Sequence, residues 1–295
     1  MASADAVVVA TTRPPDARRP GRRAHLARSA GWYVVLTMLS IIVLFPVWMT
    51  LVRALSAPLA YLNAGQPPYP VDTEWDIWSR AFTRGDLGRH LLISASVTVV
   101  ITAAQLATSI MAAYAFAFLR FPGRRIIFAL FVATLMLPIE VTLIPNLETI
   151  TTLGWKNTLQ GLTVPFLATA IGTFLIRQGF MGIPRDLRDA ARLDGFGDLR
   201  FLWRVAIPVT RPVIASFAVI SFLAAWNQYL WPRAITTENE ASTVQIVLRQ
   251  VAATNIGETN IGFAAAIIAA VPILVLLIVF QRQLIRGLTA GAVKG

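Results

Sequence analysis

One carboxylate stands inside an otherwise uncharged apolar run: Glu140, between Ile126 and Leu147. A carboxylate at membrane depth is costly in lipid and turns toward a bundle interior or a water-filled path. Two roles fit it: contact with the hydroxyls of a polar solute in a translocation path, or a structural hydrogen bond to a neighbouring helix, near carbonyls freed by Pro138 and Pro145. A second group, Trp226, Asn227 and Tyr229, closes another apolar run. Aromatic faces beside an amide suit polyol or sugar recognition, whereas an interfacial aromatic belt accounts for Trp231 better than for Asn227. Gln105 and Asn146 are weaker candidates of the same kind. Catalytic chemistry finds little to work with. There is no cysteine, and His25 and His90 are too far apart in sequence to suggest a metal site. The two lysines, Lys156 and Lys294, precede Asn157 and Gly295, so the Gly-Lys-Ser/Thr of a P-loop is absent. The chain reads as a non-enzyme, with no catalytic residue, no metal and no cofactor of its own.

A third constellation is a patterned loop, Arg177 to Arg211. Pro184 suits a first helical position, and Asp186 and Asp189 then fall where carboxylates meet the positive end of the helix dipole. Leu187, Ala190, Ala191 and Asp194 share one face, and Arg185, Arg188 and Arg192 the other. Gly195 can end this helix in a left-handed conformation. Asp198 can cap a second short helix with Leu199, Leu202, Trp203 and Ala206 on one side. The pattern predicts a helix, a glycine elbow and a second helix carrying an apolar stripe. Periodicity alone allows that stripe to dock a partner or to fold onto the chain's own helices.

These groups need elements to hold them. Hydrophobic residues make up 56% of the 295 and charged residues 14%, against about 25% charged in a soluble domain. The net charge of +11 would suit nucleic acid, but the long uncharged runs argue for lipid instead. Six runs qualify as spans: Ser29 to Val52, His90 to Leu119, Ile126 to Leu147, Asn157 to Ile176, Pro212 to Pro232 and Thr259 to Gln281. Each is near the roughly 20 apolar residues that cross a bilayer, and none alternates as a barrel strand would. The first is longer than a cleavable signal core and reads as a retained helix. Of the 26 basic residues, nineteen lie in the first tail, the loops after runs two and four, and the last tail. The excess of basic residues marks the cytoplasmic side, so both termini are expected there. The expectation is an all-α integral membrane protein of six transmembrane helices, with a disordered basic cytoplasmic tail at 1–28 and a membrane domain at 29–295. The long outward loop, with Trp75, Trp78 and Phe82, predicts a short interfacial helix.

Within the patterned loop the sequence reads Asp189-Ala190-Ala191, then Gly195, then Val205-Ala206-Ile207-Pro208. This resembles the signature of permeases of binding-protein-dependent ABC importers: Glu-Ala-Ala, three residues, Gly, nine residues, Ile-x-Leu-Pro. Asp189 stands where the family usually has Glu, and Val205 and Ile207 replace Ile and Leu. The segment Trp226 to Pro232 and the tail Arg286 to Gly295 are similar to the maltose-permease-like, carbohydrate-uptake branch. Met136 to Val141 is similar to the glycerol-3-phosphate permeases within that branch. Ile93 departs from it, since many relatives have Asn there. The resemblance implies a type I importer permease fold and a cytoplasmic coupling loop at 182–212, with Asp189, Ala190, Ala191, Asp194, Gly195, Val205, Ile207 and Pro208 against an ATPase. For such a permease, Glu140, Trp226, Asn227 and Tyr229, singled out above by residue type, are the candidates for the translocation path. The resemblance also implies a second permease subunit as heterodimer partner, a cytoplasmic ATPase dimer that holds the ATP, an extracellular substrate-binding protein, and the cell membrane as site, with no role for nucleic acid. An ion-coupled secondary transporter using Glu140 is the alternative, and it leaves the patterned loop without a purpose.

The charge asymmetry makes a topological prediction. Reporter fusions after residue 295 and at Arg124 should be cytoplasmic and those near Pro68 external. A C-terminal fusion active only outside the cell would rule out the six-helix arrangement.

Overall fold

The structure is a computed structural model that describes residues 22–83, 86–253 and 258–289. Its contacts divide the chain into a unit ending at Met49 and one beginning at Thr50. Helix α1 (Arg22–Leu55) runs across that division with Pro46 inside it. Its residues from Trp32 to Val47 are exposed, Ile42 by 68% and Tyr33 by 71%, as a lipid-facing helix requires. Of the tail expected at 1–28, residues 1–21 lie outside the described residues, and helix already begins at Arg22. The segment Gly291 to Gly295 also lies outside them.

In the second unit, α2 (Pro58–Asn63) and α3 (Ile77–Thr83) precede α4 (Leu87–Phe118). Then come α5 (Arg124–Ala133), α6 (Ile139–Thr152), α7 (Leu159–Thr163), α8 (Ala170–Met181), α9 (Arg185–Leu193), α10 (Asp198–Phe201), α11 (Ile207–Val209) and α12 (Arg211–Trp226). The chain continues with α13 (Leu230–Ile235), α14 (Val244–Ala253) and α15 (Thr259–Thr289). Among the described residues there is no β-strand, only an isolated bridge between Ser56 and Thr73. The short helix expected near Trp78 is α3. It buries Ile77 and Ala81 against α15, and leaves Trp75 and Phe82 exposed.

Among the described residues four helices are long and apolar enough to cross a membrane, and the count reaches six when two bent pairs are each taken as one span. The expected third and fourth helices are therefore not straight. The third breaks between α5 and α6 with a bend of 98°. Pro138 has no amide hydrogen, and it forces Leu137 into an extended conformation (ψ 116°). The fourth bends by 46° where Thr169 is extended (φ −147°, ψ 138°). Carbonyls released by a break inside hydrocarbon must be satisfied within the protein. Here α4 does it: Gln105 Nε2 donates to the Phe166 carbonyl at 2.8 Å and Thr108 Oγ1 to that of Leu167 at 3.1 Å. Gln105 also accepts from Ser221 Oγ of α12 at 2.7 Å.

α4 packs on α8 and α12, and α12 packs on α15. The tightest crossing is at Gly172 of α8. A Cβ there would sit far inside van der Waals contact of the Phe217 ring and Ser109 Oγ, and Phe217 is itself 1% exposed, so it has nowhere to move. Gly172→Ala should overpack this crossing at about 1–3 kcal/mol and lower the thermal transition of the purified protein by several degrees. Gly179→Ala, whose nearest neighbours would be 3.4 Å away, should stay near wild type. Equal transitions in the two variants would mean that the three helices do not close on Gly172.

Candidate functional site

The patterned loop folds as a helical hairpin. α9 starts after Pro184, which precedes the helix (φ −55°, ψ 140°) rather than opening it. Its end is set by Gly195 at φ +74°. The Gly195 amide donates to the Arg192 carbonyl at 3.0 Å and the Phe196 amide to that of Ala191 at 2.9 Å. This pair of bonds is the Schellman closure, which needs a left-handed residue at Gly195. α10 follows Gly197, then one π-helical turn (Leu202–Ala206) leads through α11 into α12. Asp198 does not cap α10. Its Oδ1 instead accepts the Tyr114 hydroxyl at 2.9 Å.

The apolar stripe divides between the two destinations open to it. Ala191, Phe201, Leu202 and Ala206 are buried in a cluster with Tyr114, Phe180 and Phe217. Phe118 packs edge-on against Phe201 at 5.5 Å and near Tyr114 at 5.1 Å. Arg188 stands over Phe118 at 5.0 Å and donates to its carbonyl at 3.1 Å. Leu199 and Trp203 of the stripe face out, 74% and 67% exposed, as does Leu193, which lies beside the stripe and is 90% exposed. The hairpin is thus bolted to the end of α4 on one side and carries unpaired apolar surface on the other.

Of the eight loop residues, Asp189, Ala190 and Ala191 lie on α9, Asp194 and Gly195 at its end, Val205 in the π-helical turn, and Ile207 and Pro208 in α11. Asp189, Ala190, Asp194, Gly195 and Pro208 are exposed, and Val205 and Ile207 are half-buried against the cluster. Ala191 faces inward, so its small size serves the fit of α9 onto its own helices. The second group is less uniform. Trp226 is 3% exposed, donates to the Ala269 carbonyl at 3.2 Å and stacks on Phe222 at 5.8 Å, which makes it a tie between α12 and α15. Asn227 is exposed and Tyr229 half-buried, both in the break between α12 and α13. The Arg249 guanidinium lies 4.3 Å from the Tyr229 ring centroid, and Gln245 Nε2 is 3.4 Å from Asn227 Oδ1. Glu140 is exposed in the first turn of α6, and no hydrogen bond among the described residues joins it to Asn227 or Tyr229.

Sequence reasoning missed Tyr114 and Phe118, which lie in an apolar run with nothing local to mark them. Arg249 it counted only as an outer-side charge. A cation five residues into α14 becomes notable only when the break at Asn227 is folded against it.

Residues 105–290 match the model of the family described as binding-protein-dependent transport system inner membrane component. The chain is 35% identical over 264 residues to the sn-glycerol-3-phosphate transport system permease protein UgpE of Yersinia pestis bv. Antiqua, covering 87% of this chain and 94% of that one. It is 34% identical over 257 residues to the protein of the same name in Rhizobium meliloti, covering 84% and 91%. In fold it is similar to a chain of a bacterial ABC transporter involved in import of the acidic polysaccharide alginate, with a TM-score of 0.77 and 22% identity over 90% of this chain and 98% of that chain. A chain of the alginate transporter in complex with a periplasmic protein bound to alginate pentasaccharide matches with a TM-score of 0.61 and 14% identity, over 89% and 99%.

Proposed function

The chain belongs to the family of binding-protein-dependent transport system inner membrane components, and from that premise we propose the finer division of labour of an ABC importer permease of the cytoplasmic membrane. The chain forms half of the path for a glycerol phosphate, a glycerophosphodiester or a sugar. A second permease subunit forms the other half, a substrate-binding protein delivers from outside, and a separate ATPase dimer docks on the hairpin of α9 and α10. The observation that carries this is the hairpin: it is fixed to α4, α8 and α12 by buried contacts while Leu193, Leu199 and Trp203 are left bare. A lever needs both properties. The relatives give the ion-coupled alternative no support.

For the solute, the break between α12 and α13 supplies an amide, an aromatic face and the guanidinium of Arg249. An amide and an aromatic ring suit hydroxylated carbon, and a guanidinium suits a phosphate or carboxylate. An anionic polyol uses all three, and the phosphate ester named in the relatives has that chemistry. Glu140, on the first turn of α6, is the carboxylate assigned to the path, since lipid would exclude it.

Two outcomes test this reading. Cysteines placed at Leu193 or Leu199 should crosslink to a cytoplasmic ATPase and one at Ala191 should not. Gly195→Val, which strains a left-handed turn by about 1–2 kcal/mol, should weaken the crosslink. Crosslinks that fail at all exposed positions while uptake persists would refute the coupling role. Separately, Arg249→Gln should raise the KM for glycerol-3-phosphate uptake roughly tenfold or more, as loss of one charged contact implies, with assembly unchanged. An unchanged KM would remove Arg249 from the path.

A further inference from the structure

At the base of the hairpin, on the side that the charge count assigns to the cytoplasm, lies a cavity of about 470 Å³ lined by Arg120, Arg124, Arg185, Arg188 and Arg192. Asp189 is the one acidic side chain in its wall, and the other carboxylates of α9, Asp186 and Asp194, do not line it. Three of these arginines come from α9, Arg120 from the stretch that links α4 to α5, and Arg124 from the first position of α5. Like charges drawn into one concavity repel, so an arrangement of five against one calls for a counter-charge.

Two of the guanidiniums are already held in place. Arg124 Nη1 donates to the Leu119 carbonyl at 2.8 Å, and Arg188 is fixed over the Phe118 ring and to the Phe118 carbonyl. Planar, oriented guanidiniums match a phosphate in pairs of bonds. The level is that of a headgroup: the cavity opens where α4 ends at Phe118 and the chain turns at Gly123 into the next apolar helix. Phe118 and Phe180 are among its apolar lining residues.

We propose that this cavity binds a phosphate group, and that its source is the headgroup of an anionic phospholipid in the cytoplasmic leaflet. Bound there, the phosphate joins Arg120 and Arg124 to Arg185, Arg188 and Arg192, so that a lipid pins α9 to the end of α4 and stiffens the hairpin. Basic recesses beside transmembrane helices on the cytoplasmic face are suited to such headgroups. The role is distinct from solute transport, and none of the bare residues Leu193, Leu199 and Trp203 lines the cavity, although Asp189 of the coupling set does.

The test uses the intact importer complex purified from membranes, equilibrated with an equal mixture of phosphatidylglycerol and phosphatidylcholine, with retained lipid counted by native mass spectrometry. Wild type should retain phosphatidylglycerol in preference. Arg120→Gln with Arg185→Gln should lower its affinity roughly 30-fold, since each basic residue near an anionic lipid contributes about fivefold. Arg120→Lys with Arg185→Lys should restore much of it, separating lost charge from a folding defect. Lys156→Gln with Arg233→Gln, which removes as much charge from the outer side, should leave retention intact. Equal retention in the Arg120/Arg185 glutamine pair and wild type overturns the proposal. Binding of inorganic phosphate that depends on the same arginines, with no preference for phosphatidylglycerol, overturns the lipid source and keeps the phosphate site. Retention seen only after the ATPase is stripped away would assign the arginines to a protein contact and overturn both.

Discussion

A backbone that leaves its helix within hydrocarbon must find new partners for its amides and carbonyls inside the protein. In this chain the requirement falls on α4. Its Gln105 and Thr108 take up the carbonyls at Phe166 and Leu167, where the fourth span bends. Its Tyr114 holds Asp198 of the hairpin, and its last carbonyls, at Phe116 and Phe118, accept from Arg177 and Arg188. At the other end Ser94 accepts the Val244 amide at 2.8 Å, and His90 pairs with the Ser242 carbonyl at 2.7 Å. One helix thus ties the bent fourth span, the hairpin and the outer loop before α14. Each of these would otherwise leave polar groups unpaired, at about 1–3 kcal/mol apiece.

The attachment of the hairpin follows from that arrangement. A push on α9 meets Ala191 seated in the same cluster as Ile176 and Phe180 of α8 and Phe217 of α12. Tightly packed interiors have little compressibility and pass displacement on. The π-helical turn at Leu202–Ala206 interrupts the α-helical pattern between α10 and α12, where the hairpin joins the fifth apolar run. Thr210 steadies the far end of that turn by returning its hydroxyl to the Ala206 carbonyl at 2.7 Å.

What the sequence made legible was whatever depends on neighbours along the chain. The six apolar runs, the left-handed Gly195 and the helix boundaries around it all rest on residue type and spacing within a few positions. The bend at Pro138 was within reach of the same reasoning, since proline restricts the residue before it, but an unbroken apolar run masks it. The choice between partners was out of reach. Asp198 has the form of a cap, yet a phenol arriving from a residue 84 positions earlier takes its oxygen. Trp226 has the form of a recognition residue, yet α15 supplies a carbonyl that claims its indole. The split of the apolar stripe, with Ala191 and Leu202 inward and Leu199 and Trp203 outward, depends likewise on where α4 and α8 stand. Periodicity fixes the face of a helix and leaves open what that face meets.

The placement of charge along the proposed path has its own logic. The six apolar runs contain no cation, and Arg249, whose guanidinium lies against the Tyr229 ring, comes from α14, outside them. A cation buried at mid-membrane would carry a large desolvation penalty and would hold an anionic solute too well to release it. Conduction requires binding strong enough to admit the solute and weak enough to let it leave. A guanidinium that leans on the Tyr229 ring satisfies both conditions, because the ring shares its charge while water still reaches it. The exposed Asn227 beside it offers an amide oxygen and two amide hydrogens, which suit hydroxyl groups whatever the solute's charge. On the proposed reading the break at Asn227 to Tyr229 meets the polyol and Arg249 favours an anion at the mouth, so the spans need no cation of their own, and Glu140 is the one charge within them.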